Sequence, residues 1–204
     1  MATSKIETLI AEDPVLARII MQVALPPLPE TRGVFYDLVS CIVDQQITHR
    51  SRNTYLKKVI HLLGGDEPDA KNVFQIEEDD WIRNKLARHK YDTLLRLADH
   101  WNENGWEKLD WDTLTDSEIK QWITSIKGIG PQTADLILLF TLQRPGVFPV
   151  NDYHLKIVME KVYDLNPDQK LVPQLKEIAA RWGSQQSLAT RYLLAYKELM
   201  SKKI

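Results

Sequence analysis

Ile126-Lys127-Gly128-Ile129-Gly130-Pro131-Gln132-Thr133-Ala134-Asp135, with Asp152 downstream, is the stretch on which the reading of the fold turns. Gly128-Ile129-Gly130 predicts a tight hairpin between two amphipathic helices. The helix before it carries Ile119, Trp122, Ile123 and Ile126 in an i, i+3, i+4, i+7 stripe. Thr115 and Glu118 have the spacing of a capping box at its start. The helix after it carries Ala134, Ile137, Leu138 and Thr141 on one face, and Pro131 suits a first helical turn. Two glycines let the backbone fold back and come close to whatever lies outside. The amides of Gly128, Gly130 and Gln132 would then sit at a helix N-terminus, where an anion such as a phosphate is favoured. The same spacing also describes an ordinary helix–turn–helix joint that uses glycine for geometry alone.

The 204 residues suit one compact domain or two closely joined lobes, and the 44% hydrophobic content is enough for a real core. Cys41 is the single cysteine, which excludes a disulfide framework and a thiolate metal site; it reads as a small core residue. Neither a membrane-spanning run nor a signal-peptide pattern is visible, so an intracellular location is expected. The net charge is only −2, but it is unevenly spread. Residues 1–126 hold 15 Lys/Arg against 21 Asp/Glu, and residues 127–204 hold 11 against 7. The hairpin and Asp152 therefore lie in the basic part, an excess that suits a phosphate-binding patch or plain solvated surface.

In chain order, one short helix is expected from Asp13-Pro14 to about Val23, burying Val15, Ile19 and Ile20. Leu25-Pro26-Pro27-Leu28-Pro29 reads as an extended connector. A helix follows with Phe35, Leu38, Val39, Ile42 and Val43 at helical spacing. The next buries Leu56, Val59, Ile60 and Leu63 and stops at Gly64-Gly65. Residues 66–80 read as acidic loop with a short helix near Val73-Phe74. Helical periodicity returns from Trp81 to Trp101, with Arg83, Lys85, Arg88 and Lys90 as a solvated basic face. Residues 102–111 read as loop. Further helices are expected at about Tyr153–Val162, Pro173–Trp182 and Ser187–Ser201, the last burying Leu188, Tyr192, Ala195, Tyr196 and Leu199. No stretch alternates at period two, which predicts an all-α protein.

The hairpin together with Phe148-Pro149-Val150-Asn151-Asp152-Tyr153 resembles the helix-hairpin-helix (HhH-GPD) DNA glycosylases, most of all the DNA-3-methyladenine glycosylase II branch. That branch runs Gly-Ile-Gly-x-x-Thr-Ala, an apolar helix, then Pro-x-Asp-Asp. Here Asn151 stands where the first aspartate is common. Asp44-Gln45-Gln46-Ile47-Thr48 sits where Ser-Gln-Gln-Leu-Ser is typical, and the segment from Arg181-Trp182 to Tyr192 is a further landmark. The resemblance covers nearly the whole chain. It implies a two-lobed helical bundle: residues 34–139 form one lobe ending in the hairpin, and residues 1–33 with 140–204 form the other, with a DNA cleft between them. One cysteine cannot supply the four-cysteine iron–sulfur cluster of some relatives.

The resemblance also implies roles. Cleaving an N-glycosidic bond builds positive charge on the sugar, so a fixed carboxylate beside it is needed, and Asp152 holds the matching position. Asp152 also precedes a helix and suits an N-cap. Relatives that also nick the backbone place a Schiff-base lysine two residues after the second hairpin glycine; here that residue is Gln132, which implies monofunctional base excision. Lys127, Gly128, Gly130, Gln132 and Thr133 would contact DNA phosphate. Gln46 matches the wedge that fills the stack when a base is flipped out, flanked by Thr48 and Arg50; Gln45 and Gln46 also read as helix-capping residues. Tyr153 matches an aromatic residue of the base pocket, and Gln132 and Gln185 stand where the branch carries aromatics. A cationic alkylated purine stacks on electron-rich rings, whereas amides suit a neutral base such as hypoxanthine or uracil.

The five histidines lack zinc-like spacing, and no transition-metal cofactor is expected; a monovalent cation at the hairpin is what the resemblance allows. The partner implied is double-stranded DNA with a damaged base, met by a monomer. Two other classes stay open: a non-catalytic helix-hairpin-helix module for damaged DNA, and a helical scaffold with no DNA role.

Overall fold

The computed structural model describes residues 2–25, 27–44, 49–65, 68–84 and 87–201. Its helices are α1 (Ala2–Glu12), α2 (Pro14–Ile20), α3 (Val34–Asp44), α4 (His49–Leu62), α5 (Ala70–Val73) and α6 (Glu78–Arg83). They continue with α7 (Arg88–Glu103), α8 (Asp116–Ser125), α9 (Pro131–Leu136), α10 (Tyr153–Val162), α11 (Leu171–Ala180) and α12 (Gln186–Ser201). No strand occurs among the described residues. The chain divides into two compact units, one of Glu30–Ile137 and one of Met1–Pro29 with Leu138–Ile204.

The unit of residues 30–137 is built on α3, whose Phe35, Leu38, Val39, Ile42 and Val43 are all buried. From α4 come Val59 and Ile60, with Leu63 just past its end, and from α7 Leu94, Leu97, Ala98 and Trp101. Around Trp101 gathers an aromatic cluster. Phe35 lies 5.0 Å from it, Trp106 5.8 Å and Trp111 5.9 Å, and Trp106 stacks on Trp122 at 6.0 Å and 9°. Such ring contacts add to plain burial. They also turn the expected 102–111 loop into two 3-10 turns, Trp106–Lys108 and Trp111–Thr113, because each turn delivers an indole to the cluster.

Two expectations about this unit are corrected. The periodicity from Trp81 to Trp101 is not one helix: α6 ends at Arg83, and Ala87 is extended before α7 begins. The Trp81 indole donates to the Ala87 carbonyl at 3.3 Å, and Arg88 pairs with Glu78 on α6 and with Asp92 at 3.1 Å. Tertiary contacts thus break a pattern that local spacing would have joined. Lys90 is not solvated either. It is 4% exposed, and its ammonium donates to the Val43 carbonyl at the end of α3 at 2.6 Å.

The other unit contains both ends of the described chain. The sequence suggested one short helix before the proline connector, but two are present, α1 and α2, with Asp13 as the N-cap between them. The buried face of α2 is Leu16, Ala17 and Ile19, while Val15 and Ile20 are half-buried. Asp13 Oδ1 accepts from the amides of Val15 (3.0 Å) and Leu16 (2.9 Å). Its Oδ2 accepts from the Tyr163 hydroxyl (2.7 Å) and the Trp182 indole (2.9 Å). A buried carboxylate with four donors is well satisfied. Leu9, Leu16 and Ile19 pack with Leu155, Val158 and Met159 of α10, Leu175 and Ile178 of α11, and Ala189 and Leu193 of α12. The inward face of α12 is therefore Ala189, Tyr192 and Leu193, one step round from the expected stripe; Leu188, Ala195, Tyr196 and Leu199 are only half-buried.

Candidate functional site

The hairpin joins α8 to α9 as the glycine spacing anticipates. Thr115 and Glu118 form the reciprocal capping box: the Thr115 amide donates to Glu118 Oε2 at 2.8 Å, and the Glu118 amide to Thr115 Oγ1 at 3.3 Å. The Thr115 side chain, then its backbone, holds the Glu118 carboxyl below the usual range. Ile119, Ile123 and Ile126 are fully buried, and Pro131 opens α9. The bend itself needs glycine at one position only. Gly128 has φ +107°, and a Cβ there would lie 2.3 Å from Thr93 Oγ1 on α7. Gly130 is extended at φ −99°, and nothing lies within 4 Å of where its Cβ would be. Gly130 is the N-cap of α9, a position that glycine suits, and the space beside it is open.

Three contacts with no sequence signal fix this bend. Thr93, 5% exposed, fills the space that Gly128 leaves. Arg96 Nη1 donates to the Lys127 carbonyl at 3.1 Å. Lys120 on α8 lies 2.7 Å from Asp135 Oδ1 on α9, tying the two hairpin helices together. Of the residues expected at phosphate, Lys127, Gly128 and Gln132 are exposed, Gly130 is half-buried, and Thr133 is 8% exposed.

Beyond α9 the chain passes through a π-turn, Ile137–Thr141, and a left-handed Gln143 (φ +52°). The segment 144–152 then delivers Asp152 to the start of α10. Asp152 is 9% exposed and serves as N-cap, Oδ1 accepting from the Leu155 amide at 2.8 Å. Its own amide donates to the Pro149 carbonyl at 2.8 Å. A carboxylate at a helix N-terminus is favoured in its ionised form, so capping and a fixed negative charge are compatible at one residue.

Tyr153, next along, is 67% exposed, its ring 5.4 Å from that of His154. Gln185 is half-buried beside Ser184, whose hydroxyl accepts from its side-chain amide at 3.2 Å. Lys127, Gly128, Gly130, Gln132 and Thr133 thus lie in the unit of residues 30–137, and Asp152, Tyr153 and Gln185 in the other. Gln46 and Thr48 lie outside the described residues, as does the side chain of Arg50, whose backbone is in α4. Among the described residues no three His, Cys, Asp or Glu side chains gather as metal ligands, and no helix is long and apolar enough to cross a membrane.

Residues 39–201 match the description of the HhH-GPD superfamily of base excision DNA repair proteins. A DNA-3-methyladenine glycosylase of Saccharomyces cerevisiae is 32% identical over 126 residues, covering 58% of this chain and 43% of that protein. The chain spans 64% of the length of a Bacillus subtilis relative that is 22% identical over 184 residues. A crystal structure of a DNA-3-methyladenine glycosidase from Bacillus halodurans superposes with a TM-score of 0.83 at 22% identity, over 98% of this chain and 91% of that one. A 3-methyladenine DNA glycosylase from Schizosaccharomyces pombe in complex with abasic DNA superposes with a TM-score of 0.79 at 19% identity, over 94% and 95% of the two chains.

Proposed function

The chain belongs to the HhH-GPD superfamily of base excision DNA repair proteins, and on that footing we propose that it is a monofunctional DNA glycosylase acting on alkylated purines in duplex DNA. The observation that carries the proposal is Asp152: a buried carboxylate, fixed at the N-terminus of α10, at the position to which the resemblance assigns the catalytic anion. As an anion it would stabilise the positive charge that grows on deoxyribose as the base leaves, and help direct water to the anomeric carbon. Gln132, exposed in the first turn of α9, offers no amine for a Schiff base, so hydrolysis would end at an abasic site. The Gly130 backbone, free of any neighbour that a Cβ would meet, suits a phosphate lying against it; a monovalent cation held by hairpin carbonyls is part of the same reading. Gln46, with Thr48 and Arg50 beside it, would fill the stack as the base leaves. Tyr153, Gln132 and Gln185 would receive the base. The protein would act as a monomer inside the cell, where its DNA substrate is.

Gln132 and Gln185 favour one second reading, because two amides in place of aromatics suit hydrogen bonding to a neutral lesion such as hypoxanthine or uracil. Duplexes carrying 3-methyladenine, 7-methylguanine, ethenoadenine, hypoxanthine or uracil separate the two. Free base should be released from an alkylated purine. Asp152→Asn should slow release by about 100-fold or more while duplex binding persists, and borohydride should trap no protein–DNA adduct. Equal release by the Asp152→Asn protein would sink the mechanism. Release confined to hypoxanthine or uracil would select the second reading.

A further inference from the structure

Asp152 reaches its place at the end of a nine-residue segment with no regular structure, and one side chain from far along the chain holds the start of that segment. Ser187, in the first turn of α12, is 8% exposed. Its hydroxyl donates to the Arg144 carbonyl and accepts from the Val147 amide at 3.0 Å. Its own amide donates to the Pro145 carbonyl at 3.0 Å. Three hydrogen bonds from one residue therefore pin residues 144–147, satisfying backbone groups that a buried loop would otherwise leave unmade.

The rest of the segment offers little freedom between that pin and the carboxylate. The ring of Phe148 packs edge-on against Trp182 at 5.6 Å and 81°. Val147 is 2% exposed and Pro149 is also buried. The Val150 amide closes a tight turn on the Phe148 carbonyl at 2.8 Å, and the Asp152 amide closes the next on Pro149. The two braces are close in sequence: Trp182 lies with Gln185 in the turn that links α11 to α12, and Ser187 follows in the first turn of α12.

From this chain of contacts we propose that Ser187 is a positioning residue for Asp152: it touches no reacting atom, and it sets where the carboxylate stands. The kinetic part of the proposal rests on the glycosylase reading; the mechanical part does not. In Ser187→Ala, amide hydrogen exchange should accelerate together at Val147 and Asp152, by about tenfold or more, while Leu193 in the middle of α12 keeps its protection. The single-turnover excision rate should fall by about 10–100-fold with duplex affinity within about threefold, and Ser187→Thr, which retains the hydroxyl, should recover most of it. Faster exchange at Val147 alone, with Asp152 still protected, would overturn the proposal. So would an unchanged excision rate in a protein whose wild type is active. If both amides loosen in a protein that releases none of the tested bases, the brace stands and the glycosylase reading is what fails. Should Ser187→Ala not fold, Ser187→Cys, which keeps only a weak donor, takes its place with the same criteria.

Discussion

Asp13 and Tyr163 are 150 positions apart in sequence, yet their oxygens meet at 2.7 Å in the interior. The same carboxylate caps α2 through the Val15 and Leu16 amides and accepts from the Trp182 indole. Asp13→Ala removes a helix cap and leaves buried donors unmade at once, so it should destabilise the protein by about 3 kcal/mol. Urea unfolding measures this. Asp13→Asn, which keeps an acceptor oxygen, should lose clearly less.

Burial, and then the hydrogen bond to Asp13, raises the Tyr163 hydroxyl well above the ordinary tyrosine range. The unfolded chain therefore gives up this proton first as pH rises. Stability from Tyr163 is complete below about pH 10 and declines above it, by up to about 1.4 kcal/mol per pH unit. Tyr163→Phe should be less stable at neutral pH and should lack this alkaline component. Denaturant midpoints recorded from pH 7 to 11 would reveal it, and parallel curves for the two proteins would contradict it.

The two hairpin glycines should separate cleanly under substitution. Gly128→Ala meets both a left-handed backbone and Thr93 Oγ1 at 2.3 Å, and should lose about 3 kcal/mol of stability. Adding Thr93→Ala should recover the steric part but not the backbone part. Gly130→Ala meets neither obstacle and should unfold within about 1 kcal/mol of wild type. Its duplex affinity should nonetheless fall by about tenfold, the worth of one charge-assisted contact to phosphate. Unchanged binding by Gly130→Ala would remove the hairpin from the DNA interface.

Lys90 makes a similar point in the core. Its ammonium reaches the Val43 carbonyl at the C-terminal end of α3, three residues before the predicted wedge Gln46. Lys90→Met keeps the aliphatic bulk and removes the donor, so about 1–3 kcal/mol should be lost. The loss should appear in thermal unfolding, whereas removal of a solvated lysine would leave the midpoint unmoved.

What was legible in the sequence is what local chemistry determines. Thr115 with Glu118, Pro131, Gly64-Gly65 and the α3 stripe each decide a helix start, stop or face within a few residues, and the helices lie where those signals put them. The break between α6 and α7 left no such mark, because the indole–carbonyl contact of Trp81 with Ala87 and the Arg88–Glu78 pair take the place of a glycine or proline. A charged residue at a helical position reads as solvated, which is why Lys90 misleads. Within the candidate site, Asp152 was visible through a motif with a role attached. Ser187 lies inside the Arg181–Tyr192 landmark, but its role was not legible, because its partners lie 40 or more residues upstream and serine at a helix start reads as a cap.

The unit that contains α1, α2 and α10–α12 is assembled from both ends of the described chain, with residues 30–137 between them. On the ribosome this imposes an order. The intervening unit is complete before Tyr163 and Trp182 have been translated, while α2 has already emerged and its inward face still lacks the α10–α12 residues that cover it. At ordinary synthesis rates that interval lasts on the order of ten seconds. During it the apolar side of α2 is open to chaperones, so helices translated before the intervening unit find their place after it.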